Sequence, residues 1–245
     1  MVRWDRAPPS AHSPQRSEGE NEVSDRSLIR ASSAATNCDD SGKVLSHVNA
    51  MLGPMNEEAA HKFSHRRGFL PHFDGDAVVQ TITFRLADSL PRDLYEALLN
   101  VVADHHQRNE RIEAMIDKGR GACLLAEPAN AAIVQNTIRY FDESRYRLIA
   151  WVVMPNHVHV MMEQMSGFRL GDIVHSWKRF SATRINNLRS TKGPIWAPDY
   201  VDRFIRDSDH YERAIAYIEN NPVKAGLVGN PEDWSYSSFF ARSGR

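Results

Sequence analysis

His157 and His159 are separated by one residue in the run Trp151-Val-Val-Met-Pro-Asn-His-Val-His-Val-Met-Met-Glu163, whose apolar density reads as buried strand. In an extended strand residues i and i+2 project from the same face. The two imidazoles therefore stand side by side, while Val158 and Val160 turn the other way. Adjacent imidazoles make a preorganised pair of nitrogen ligands for a divalent metal, although two ordinary histidines on a half-exposed strand would share this spacing. The Met154-Pro155-Asn156 turn between two apolar runs makes the context more specific and favours the metal reading. Downstream, Tyr211, Ala214, Ile215 and Ile218 recur at i, i+3, i+4 and i+7, the apolar stripe of an amphipathic helix. Tyr217 lies on the flank of that stripe with His210 and Asn221, and Asn221 follows it by one turn on the same side. Pro222 disfavours further helix, which places Asn221 at a frayed C-terminal end. Read from this helix alone, a tyrosine at its edge serves packing.

The elements that must hold these residues follow an alternating pattern. Val78 to Leu86 is rich in β-branched residues and reads as a first strand, and Asp88-Ser-Leu-Pro91 supplies a cap and an early proline for a helix running to about Met115. A loop around Gly119 and Gly121 leads to a second helix from about Pro128 to Phe141. Arg147 to Val153 and His157 to Glu163 are two strands joined tightly enough for a hairpin. Leu170, Ile173, Val174 and Trp177 begin an amphipathic helix that extends to about Leu188. The run from Gly193 to Ile205 is a short strand or extended connection, and the last helix spans Asp209 to about Asn221. Strand, helix, strand, strand, helix, strand is the order of an α+β, ferredoxin-like or RRM-like split βαβ domain with a central antiparallel sheet.

At 245 residues the chain exceeds what one such domain needs. Residues 1–62 are polar and lack a sustained apolar period of 2 or 3.6, so they are expected to form a disordered tail ahead of a domain spanning 63–245. No apolar stretch in the tail suffices for a signal peptide or membrane span, which predicts a cytoplasmic protein without a membrane partner. Cys38 and Cys123 suggest neither a disulfide framework nor a cysteine zinc site. The net charge of −1 gives no overall attraction to a polyanion. Its distribution does: from His175 to Arg206 there are seven basic residues, Lys178, Arg179, Arg184, Arg189, Lys192, Arg203 and Arg206, against Asp199 and Asp202. A solvated helix face explains such a run, and beside a metal site it also reads as a phosphate-binding border.

The His157-Val-His159 pair after Trp151-Val-Val-Met-Pro-Asn156, followed by Tyr217-Ile-Glu-Asn-Asn221-Pro-Val-Lys-Ala-Gly-Leu227, resembles the single-tyrosine HUH transposases, in particular their REP-associated tyrosine transposase branch. Arg67-Gly-Phe-Leu-Pro-His72, Phe84-Arg-Leu-Ala-Asp-Ser-Leu-Pro91, Tyr200-Val-Asp-Arg-Phe-Ile-Arg206 and Pro231-Glu-Asp-Trp234 extend the likeness over residues 65–240 or so. The resemblance implies that His157 and His159 bind Mg²⁺ or Mn²⁺. It also implies that Asn221 completes the metal site where insertion-sequence relatives commonly carry the longer Gln, and that Tyr217 on a C-terminal catalytic helix is the nucleophile. Members of the family nick single-stranded DNA beside palindromic hairpins, leaving a 5′-phosphotyrosine and a free 3′-hydroxyl that permits strand transfer without ATP. They work as homodimers or monomers. In this setting Lys178, Arg179, Arg184, Arg203 and Arg206 would track the sugar-phosphate backbone. Trp196 or Tyr200 would stack on unpaired bases, or Trp196 belongs to the core. Two other readings stay open: a non-catalytic hairpin-binding module, and a metal-dependent phosphoesterase that hydrolyses with water.

Overall fold

The computed structural model describes residues 64–66, 71–73, 78–102 and 104–244. The expected tail, Cys38 and the Arg67–Leu70 part of the first motif lie outside the described residues. Strands β1 (Ser64–Arg66) and β2 (Pro71–Phe73) pair antiparallel as a small ladder of their own. The main sheet contains β3 (Val79–Arg85), β4 (Tyr146–Val153), β5 (His157–Gln164) and β6 (Val201–Phe204) in the order β4-β5-β3-β6, every neighbouring pair antiparallel. This is the split βαβ arrangement expected from the order of elements.

Both faces of the sheet are covered, which is why β5 is buried on both sides, the histidine side included. On one face Ile82, Phe84, Val158 and Val160 pack against α3 (Pro128–Arg139) and α4 (Leu170–Arg189) through Val134, Ile138, Val174 and Trp177. The polar atoms in this layer are satisfied: Trp177 Nε1 donates to the Tyr146 hydroxyl at 2.9 Å, which donates to the Ile138 carbonyl at 2.7 Å. On the other face Ala150, Val152 and Met161 pack against Ile218 and Tyr217 of α5 (Ser208–Lys224). Beside α5, helices α1 (Arg92–Val101) and α2 (His105–Ile116) bury Tyr95, Leu98, Ile112 and Ile116 with Val201. Residues 234–238 seal the outer edge of β4: Val153 N–H donates to the Tyr236 carbonyl and Trp151 N–H to Ser238 Oγ. A short helix, α6 (Ser238–Arg242), follows.

Three local expectations are corrected. The helix expected to run unbroken to Met115 is two helices, because Asp104 adopts extended geometry and its carboxylate caps α2 by accepting the Gln107 N–H at 2.7 Å. Asp88 does not cap α1. Its carboxylate accepts the Ala122 N–H at 2.7 Å, with Gly121 at φ +90° so close that a Cβ there would lie 2.8 Å from the Asp88 carbonyl oxygen. The last helix does not fray at Asn221. It continues through Pro222 to Lys224, and the Ala225 N–H bonds the Asn221 carbonyl at 2.9 Å. Burial of Ile218, Asn221 and Pro222 outweighs the one hydrogen bond that the proline forfeits.

Candidate active site

Period-2 geometry places His157 and His159 on the face that α2 and α5 cover, and the register sets Thr83 directly opposite His159. Hydrogen bonds fix both ring tautomers. The Asn156 Nδ2 donates to the Ile116 and Arg120 carbonyls at 3.0 and 3.1 Å, so its Oδ1 faces His157 Nδ1 at 2.7 Å and that nitrogen carries the proton. Thr83 donates its hydroxyl to Glu113 at 3.0 Å, so at 2.8 Å it accepts from His159 Nδ1. Each imidazole therefore turns an Nε2 lone pair inward, and the two nitrogens lie 2.9 Å apart. Two facing lone pairs repel unless a cation lies between them. Burial, then the neighbouring His159, pushes the His157 pKa well below its ordinary value and keeps that ring in its neutral, ligating form.

The third arm comes from a residue that the sequence analysis did not select. Asp117 follows the last turn of α2, and its Oδ1 lies 3.5 Å from His157 Nε2 and 3.9 Å from His159 Nε2. One ligand atom from each of the three residues falls within a sphere of mutual distances below 4.8 Å. Asn156 puts Asp117 there: its amide grips the carbonyls of Ile116 and Arg120, on either side of Asp117, while its oxygen steadies His157. Asp117 Oδ1 is buried and makes no hydrogen bond among the described residues, and neither amide atom of Asn221 does. An unsatisfied buried polar group costs on the order of 1–3 kcal/mol, so these atoms fit a bound cation better than an empty cavity. Burial works against ionisation of Asp117. Contact with His159, then His157 and Lys224, more than reverses this and holds the carboxyl well below the usual carboxylate range.

Tyr217 projects from the α5 flank onto this group. Its hydroxyl donates to Asp117 Oδ2 at 3.1 Å, its ring meets His159 edge to face at 5.4 Å, and Lys224 Nζ reaches the same Oδ2 at 3.1 Å. Burial, then the charges of Asp117 and Glu113, push the phenol pKa above its ordinary value, so the hydroxyl keeps its proton at neutral pH. Asn221 sits one turn further on, 1 % exposed. A cleft of about 320 Å³ opens beside these groups and is lined also by Arg203, His210 and Arg213.

The basic residues divide. Arg203 lines the cleft, 3.4 Å from Glu113, and Arg206 lies at the end of the same strand against Phe204. Lys178, Arg179 and Arg184 are on α4, which packs on the opposite face of the sheet from the histidines. Lys178 Nζ donates to the Pro198 and Asp199 carbonyls, and Arg184 lies over the exposed Phe180 ring. Trp196 is core, with its Nε1 bonded to Ser181, and Tyr200 is half-buried. Among the described residues no helix is long and apolar enough to cross a membrane.

Residues 114–221 match the family model described as Transposase IS200 like. A REP-associated tyrosine transposase of Escherichia coli strain K12 is 31% identical over 96 residues, covering 38% of this chain and 54% of that protein. A Haemophilus influenzae relative assigned to the same group is 27% identical over 104 residues, covering 38% of this chain and 59% of its own length. The chain thus spans just over half the length of these relatives. A solved structure of a REP-associated tyrosine transposase bound to a REP hairpin is 19% identical and covers 74% of this chain and 85% of that one, with a TM-score of 0.49. Residues 114–221, which hold Asp117, His157, His159, Tyr217 and Asn221, are thus similar to the IS200-like transposase family, and the chain resembles its REP-associated tyrosine branch.

Proposed function

We propose that this chain nicks and rejoins single-stranded DNA beside palindromic hairpins through a 5′-phosphotyrosine on Tyr217. The observation that carries the reading is the shared carboxylate: one Asp117 oxygen faces two inward Nε2 lone pairs, and the other holds the Tyr217 hydroxyl. His157, His159 and Asp117, with Asn221, would hold Mg²⁺ or Mn²⁺, which when bound polarises a non-bridging phosphate oxygen. Tyr217 Oη attacks phosphorus and the bond to the 3′ oxygen breaks. The 3′ oxygen leaves and takes up a proton from solvent to become a free hydroxyl, and the 5′ phosphate stays on the tyrosine. The phenol proton departs along its existing hydrogen bond toward Asp117 Oδ2, and Lys224 beside that oxygen offsets the negative charge that develops on the ring oxygen. The phosphotyrosine conserves the energy of the phosphodiester, so a second 3′-hydroxyl can reverse the step on another end without ATP.

The test is to incubate the full chain with labelled hairpin-bearing single strands from its own genome and Mn²⁺, and to resolve the products on a denaturing gel. A fragment joined to the protein through its 5′ phosphate, absent in Tyr217→Phe, is expected. Metal-dependent cleavage without a linked fragment would replace the reading with hydrolysis by water, and binding without cleavage would leave a hairpin-binding module.

A further inference from the structure

The cleft that holds Asp117, His159 and Tyr217 continues to a second set of side chains, Arg203 of β6 and His210 and Arg213 of α5. Arg203 stands opposite Thr81 in the ladder, which raises it on the histidine face of the sheet. Among the described residues its Nε and Nη2 are buried without a hydrogen bond, and Nη2 lies 3.4 Å from the Glu113 carboxylate as an ion pair. Arg213 precedes Tyr217 by four residues, so the two project one above the other, roughly 6 Å apart along the helix axis. His210 lies a further turn back, so His210, Arg213 and Tyr217 form a polar row on this side of α5 along the cleft.

We infer that Arg203, Arg213 and His210 form a subsite for the phosphodiester next to the one that is cut, on a single strand laid along α5. The inference rests on the proposed reaction and extends it by naming which part of the substrate this end of the cleft takes. A helical turn is comparable to the spacing of neighbouring phosphates in an extended strand, so a strand with its scissile phosphate at Tyr217 places the next one at Arg213. The guanidinium fork suits a phosphate, and the buried Arg203 Nε has no acceptor among the described residues. The local charge agrees. After burial, Arg206 is the largest influence lowering the His210 pKa, and Arg213 and Arg203 act in the same direction, against Asp207 alone. Glu110 and Glu113 line the wall contributed by α2. The strand would therefore follow the α5 and β6 side of the cleft.

The test uses the full chain and a fluorescein-labelled, mixed-sequence 20-nucleotide single strand without a hairpin, with binding followed by anisotropy across a salt series. Each phosphate contact contributes about 0.7 to the slope of log affinity against log salt. Because the subsite takes one phosphate, Arg203→Gln with Arg213→Gln should lower the slope by about 0.7 and Arg213→Gln by a large part of that, while Arg184→Gln on the opposite face leaves the cleft contacts intact. Arg213 is exposed on a helix, so its variant remains informative even if loss of the Arg203 ion pair disturbs folding. An unchanged slope in Arg213→Gln would overturn the subsite. If that variant also keeps forming the covalent adduct, the tyrosine reaction stands without it. A reduced slope with no adduct from the wild-type chain would instead uphold the subsite and remove the reaction.

Discussion

Asp117→Asn keeps the shape of the side chain and removes its charge, which separates two effects of one carboxylate. Its Oδ1 lies 3.5 and 3.9 Å from the two inward imidazole nitrogens, where an anion assists cation binding most. Loss even of an outer partner of a metal ligand costs about 10–100-fold in affinity. Removal of the one carboxylate in the proposed ligand set should therefore weaken Mn²⁺ binding by at least about 100-fold, or ~2.7 kcal/mol. At an effective dielectric of 20, unit charges 4 Å apart interact by about 4 kcal/mol, which leaves ample room for a loss of this size. The second effect has the opposite sign. The Asp117 charge is the largest influence after burial that holds the Tyr217 hydroxyl protonated, so the variant should ionise Tyr217 at lower pH. Mn²⁺ affinity is read by electron paramagnetic resonance of the free ion, and the phenol by ultraviolet titration against Asp117→Asn with Tyr217→Phe. Mn²⁺ affinity within twofold of wild type, with a native circular dichroism spectrum, would remove Asp117 from the metal site.

Tyr217→Phe should abolish cleavage and adduct while hairpin affinity stays within about twofold, since only the hydroxyl and its single bond to Asp117 are lost; an adduct in this variant moves the nucleophile elsewhere. His159→Ala should abolish Mn²⁺-dependent cleavage and Asn221→Ala should weaken it less, with partial recovery in excess Mn²⁺; full cleavage by the double histidine variant in chelator would end the metal reading. Asn156→Ala frees the Ile116 and Arg120 carbonyls and His157 Nδ1, so thermal unfolding should show a loss of about 1–3 kcal/mol and Mn²⁺ affinity should fall about 10–100-fold; a shift in stability with unchanged affinity would show that Asn156 does not position Asp117. Burial lowers the Lys178 pKa from its ordinary 10.5 to about 8. The unfolded chain therefore binds the extra proton between these values, and stability should rise with pH across that window. Urea unfolding from pH 8 to about 10 should show the wild type gaining on Lys178→Met, and parallel profiles would refute the assignment.

Much of the site was legible because it is local. The pairing of His157 with His159 needs only the two-residue repeat of a strand, and the pairing of Tyr217 with Asn221 only the pitch of a helix. The order of the elements was enough to name the split βαβ sheet, because few connections join strands in that sequence without crossing. Local pattern misjudged Pro222, since the burial that carries α5 past it comes from a sheet more than fifty residues earlier in the chain. Asp117 left no mark of its own. It is an acidic residue at a helix end, forty residues before His157, and it reaches the site because Asn156 ties the two segments together. The basic residues show the same division. The apolar stripe of α4 identified which side of that helix is buried, but not which face of the sheet receives it. Packing against Val158 and Val160 sends Lys178, Arg179 and Arg184 to the side away from the histidines, while Arg203, on a strand in register with Thr81, comes to the cleft. Periodicity assigns side chains to faces of their own element, and only packing between elements decides which faces meet.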